Sequence, residues 1–91
     1  MPTDDELIHR IDKASRRRLR DAYGQAFVME VQSVIAAKGA GIALSAESQA
    51  ILALAKPQLD HAETLKAGLP SGKDARIKYA PTLDPSWPSC A

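Results

Sequence analysis

The chain has 91 residues, a formal net charge of +1 and 45% hydrophobic residues, only 4% of the chain being aromatic. That length holds one small domain, and the charge excludes attachment to nucleic acid driven by overall attraction. With Cys90 as the single cysteine no internal disulfide can form, and no apolar run is long enough to span a membrane.

The N-terminal run Pro2-Thr3-Asp4-Asp5-Glu6 is acidic where a secretory signal is basic and then apolar. Together with the lone cysteine it points to a cytoplasmic protein of bacterial or phage origin. The same run predicts a helix start. Thr3 is placed to cap a free backbone N–H, Glu6 occupies the capping-box position, and the acids suit the positive end of the helix dipole. Nothing stops that helix before Gly39 and Gly41 except Gly24, which costs about 1 kcal/mol relative to alanine. The expectation is one long helix, or two with a bend near Ser15 or Gly24.

At 100° per residue, Leu7, Ile8, Ile11, Ala14, Leu19, Ala22, Ala26 and Met29 form one apolar stripe. Tyr23, Phe27, Val31 and Val34 form a second. One following hairpin of helix would struggle to cover both, so the second stripe is expected to bind a protein partner or a second copy of the chain.

Ser45 caps a second predicted helix, with Glu47 in its first turn. Its apolar phase runs through Pro57, from Ile51 and Ala55 to Leu59 and Ala62, which favours a kinked helix, with two short helices as the alternative. Gly68, Leu69 and Pro70 end it. Beyond them Ala75 to Ala80 alternates, with Ile77 and Tyr79 on one side, as one short strand would. Pro81, Pro85 and Pro88 then predict an extended or flexible end. The fold class is therefore all-α, a small helical hairpin or bundle. A helical domain over 1–69 carries a proline-rich tail over 70–91.

Candidate chemistry is sparse. His9 and His61 lie far from Cys90 in sequence, so no ligand cluster with metal spacing exists and no metal or cofactor is expected. No nucleophile–base pair is held together, so the chain is not expected to be an enzyme. Arg10, Lys13, Arg17 and Arg20 share one helix face, where Glu6–Arg10 and Arg17–Asp21 have the spacing of ion pairs. A solvated face is the favoured reading, with an acidic protein or nucleic acid as the alternatives. Arg18 is the odd member, because it projects toward the first apolar stripe. In the tail, Trp87 between Pro85 and Pro88 reads either as an anchor for another protein's pocket, with Ile77 and Tyr79 beside it, or as a plug for the chain's own core.

The leading expectation is a non-catalytic helical interaction module: an accessory subunit, adaptor or inhibitor. It would bind through Tyr23, Phe27, Val31 and Val34 and dock its tail through Ile77, Tyr79 and Trp87. A second reading is a ribosomal peptide precursor, with a helical leader and a tail modified at Cys90 or Trp87. A third is a nucleic-acid binder using the arginine face.

Overall fold

The computed structural model describes residues 2–90, and its regular structure there is entirely helical. The helices are α1 (Asp4–Tyr23), α2 (Gln25–Gly39), α3 (Ala46–Ala67) and α4 (Lys73–Ile77), followed by a 3₁₀ turn over Pro81–Leu83. The first three pack on one another as a small bundle.

Local chemistry sets the boundaries. The Thr3 hydroxyl accepts the Glu6 N–H at 3.3 Å, and three acids occupy the first turn of α1. Ser45 does the same for α3, accepting the Ser48 N–H at 3.1 Å. Pro57 lies inside α3, which continues past it to Ala67.

The predicted long helix is broken at Gly24, whose φ of +96° and ψ of 165° lie in a region that side chains resist. Its N–H closes α1 by donating to the Arg20 carbonyl at 2.8 Å, and α2 starts one residue later. That break resets the helical phase. Leu7, Ile11, Ala14 and Leu19 are buried as expected, but Ala26 and Met29, assigned to the same stripe beyond the break, are exposed, as is Ala22 at the end of α1. The second stripe, by contrast, is covered by the chain itself. Val31 and Val34 are buried, and Tyr23 and Phe27 are half-buried against the core. The bend at Gly24 achieves this by folding α2 back beside α1, where α3 reaches both.

The core has two centres. One joins Leu19, Val28, Val31 and Ala55, flanked by the tilted ring pair Tyr23–Phe27, whose centroids are 4.6 Å apart. The other joins Ile11, Ala14, Ala62 and Trp87, with Leu65, Leu69 and Tyr79 against it.

Trp87 belongs to the tail, so the segment beyond Leu69 is part of the core as well as a continuation from the bundle. The expected strand over Ala75–Ala80 is not formed. Lys73–Ile77 is helical, with Asp74 in its first turn, because no neighbouring strand offers a ladder. The residues after the 3₁₀ turn are irregular, as their prolines require, yet Trp87 is only 7% exposed.

Candidate functional site

Three arginines hold the tail in place. Arg18, from the middle of α1, donates from Nε to Gln58 Oε1 at 3.0 Å and from Nη2 to the Pro88 carbonyl at 3.1 Å. Its guanidinium also stands 5.5 Å from the centre of the Trp87 ring system. Gln58 completes the clasp by donating to the same Pro88 carbonyl at 2.6 Å. The indole N–H of Trp87 donates to the Pro81 carbonyl at 2.7 Å, so the ring's polar edge is satisfied inside the core. Arg10 donates to the Arg76 and Tyr79 carbonyls, each at 3.2 Å, in place of the expected pair with Glu6. Arg76 reaches the Pro2 and Pro70 carbonyls and pairs with Asp4 at 2.6 Å.

His61 and Asp84 add to this seam. The His61 ring meets Trp87 edge-on at 4.5 Å, and its Nε2 lies 3.6 Å from Asp84 Oδ2. Asp84 is held below the ordinary carboxylate pKa, first by the Ser86 backbone N–H and, in smaller part, by His61, against the opposing effect of burial. Burial, with the Asp84 charge behind it, pushes the Tyr79 hydroxyl up.

These contacts correct several sequence expectations. Trp87 is a plug, with no free face for another protein's pocket. Val31 and Val34 lie inside the bundle and present no interface. Arg10 and Arg18 are spent on internal carbonyls. Ile77 remains about half exposed and Tyr79 is half-buried. Cys90 is a free, half-buried thiol.

Two of the open surfaces bear on function. The first is a groove among α1, α2 and α3, with a volume of about 420 Å³. Ile35, Leu52 and Leu59 supply its apolar lining, and it shares Asp12, Ser15, Ile35 and Leu59 with an adjoining space of about 140 Å³. Ser15 is 3% exposed, and its hydroxyl has no hydrogen-bond partner among the described residues. Lys66 stands in the groove between Asp12 at 2.7 Å and Glu63 at 3.3 Å. Burial pulls its pKa down, but the bonds to Asp12 and Glu63 outweigh that and raise it overall, so Lys66 stays charged. Sequence reading missed this groove, because its walls come from three helices whose relative phase depends on Gly24.

The second surface is a cleft of about 280 Å³ lined by Lys13, Arg16, Arg17 and Arg20 of α1 and by Gln25 and Gln32 of α2. Here the expected Arg17–Asp21 pair exists, at 3.9 Å between two exposed side chains.

Among the described residues no group of histidine, cysteine, aspartate or glutamate side chains is arranged to hold a metal ion. Nor, among them, is any helix long and apolar enough to cross a membrane. No protein-family model matches the chain, and neither a curated protein nor a solved structure shows significant similarity to it.

Proposed function

We propose that the protein is a non-catalytic helical interaction module whose binding surface is the three-helix groove. One observation carries this reading: the groove is open and apolar where it is lined by Ile35, Leu52 and Leu59, while charged Lys38, Asp60 and Glu63 also stand in it. Ile35 remains 43% exposed, in a chain whose core is short of large side chains.

The occupant that fits is an amphipathic helix of another protein. Its apolar ridge would lie over Ile35, Leu52 and Leu59, and its flanking charges of both signs would meet Lys38 on one side and Asp60 and Glu63 on the other. A second copy fits less well. The exposed apolar side chains a second copy would offer, Met29, Ile42, Leu54, Ile77 and Leu83, lie on patches different from the groove. Seating one on the other would give head-to-tail contacts that grow into rings or filaments.

Photo-crosslinking side chains placed at Ile35 and Leu52, with controls at Glu30 and Lys73, test the reading in the native host. The expected result is one protein captured at both groove positions and absent from both controls. Capture of the chain by itself would identify a second copy as the occupant. Equal capture at all four positions, or none, would remove the groove as the binding surface.

A further inference from the structure

The chain carries six basic residues between Arg10 and Arg20, and the fold sorts them into two groups. Arg10 and Arg18 are bound to carbonyl groups that hold the tail. Lys13, Arg16, Arg17 and Arg20 are exposed and line one cleft. Among the described residues Lys13 and Arg16 have no ion pair or side-chain hydrogen bond. Arg17 and Arg20 share a single carboxylate, Asp21, each at 3.9 Å through solvent-exposed side chains. Such pairs contribute little and exchange readily for another anion.

The far wall of the cleft adds to the same field. Gln25 is the first residue of α2, whose N-terminus has no side-chain cap and no acidic residue in its first turn. The unpaired N–H groups and the positive end of that helix dipole therefore stand at the cleft. The Gln25 and Gln32 amides are further donors, and Val28 is its apolar lining.

From these observations we infer that the cleft is a binding site for the phosphate backbone of a nucleic-acid duplex. The chain's overall charge conceals it, because Asp4, Asp5 and Glu6 at the start of α1 offset cations further along the same helix. Lys13 to Arg20 covers about 10 Å of helix, and a duplex presents one phosphate per about 3.4 Å of its axis on each strand, so the four cations meet a run of neighbouring phosphates. A single small phosphate would leave most of these cations unused. No aromatic side chain lines the cleft, so unpaired bases have nothing to stack on. The contact is with the backbone, and binding is indifferent to sequence.

The test is anisotropy of a labelled DNA duplex with the full chain between 50 and 200 mM salt, those concentrations being about the range in which counterion release is read. Four neutralised phosphates predict that log K falls with log salt at a slope of about −3.6, roughly a hundredfold loss across that range. Arg16→Ala and Arg17→Ala should each reduce the slope by about 1, while Lys73→Ala leaves it unchanged. Arg17→Glu with Arg20→Glu should weaken binding at low salt at least tenfold. These side chains are exposed, so far-ultraviolet circular dichroism should show every variant folded. Absence of duplex binding at low salt, or a slope that the alanine variants do not change, would overturn the assignment. So would tighter binding of inorganic polyphosphate or of a single strand of equal length.

Discussion

Arg18 and Arg17 are neighbours on one helix, yet they do opposite work. Arg18 faces the seam between α1 and α3, where it fixes the tail through Gln58 and Pro88. Arg17, one residue and about 100° away, faces water beside Asp21. Composition counts them alike. The difference is what each finds within reach: carbonyl groups whose hydrogen bonds must be satisfied in one case, and solvent in the other. An arginine whose donors are taken by buried carbonyls is a structural part. One with its donors in water remains available to a ligand.

The largest effect that bears on this contrast should come from removing what Arg18 covers. Trp87→Ala deletes a buried ring and should cost about 3–5 kcal/mol of stability, read from urea unfolding. Loss of less than about 1 kcal/mol would mean that the tail is not part of the core. Arg18→Ala leaves Gln58 Oε1 without its donor and the Pro88 carbonyl with Gln58 Nε2 alone, and should cost about 2 kcal/mol. Arg17→Ala, the same chemical change one position away, should change stability by less than about 0.5 kcal/mol. Equal costs at the two positions would erase the distinction.

Gly24→Ala measures the bend that creates both environments. The added methyl meets nothing, so the expected loss of about 1–3 kcal/mol is backbone strain at φ +96° alone.

The smallest effect is in acid. Asp84 has a lowered pKa in the folded chain, so its contribution is present above the ordinary value of 3.8 and is lost as pH falls through the folded value. Trp87 fluorescence should therefore report a loosened tail only below that ordinary value, and Asp84→Asn should weaken the acid response. A transition near neutral pH that survives Asp84→Asn would place the responsible group elsewhere.

Much of the helical framework was legible in the residues. Thr3 and Ser45 cap, Gly39 and Gly68 terminate, and the apolar phase across Pro57 announced a continuous α3. Gly24 could be noticed as a weak point, but its φ could not be read, and Ala26 and Met29 beyond it turned outward, while Phe27, Val31 and Val34 kept their inward face. The docked tail was less legible for a different reason. Its anchors are backbone carbonyls at Pro70, Arg76, Tyr79 and Pro88, and no side-chain pattern records where a carbonyl points. Two signals were nevertheless present. Arg18 pointed into an apolar stripe, and Gln58 interrupted the apolar phase between Ala55 and Ala62. Each is a polar group that a core must satisfy, and together they satisfy Pro88. Of the candidate site, the arginine face was visible as a set, but which members stay free depended on the tail.

Whether the tail is docked is read at the Trp87 indole N–H by hydrogen exchange, because that proton is donated to the Pro81 carbonyl inside the core. A docked tail gives protection comparable to the backbone amides of α1 and α3, and lower protection in Arg18→Ala. Exchange at the rate of an exposed tryptophan, with α1 and α3 still protected, would show a free tail and return Arg18 and Trp87 to the surface.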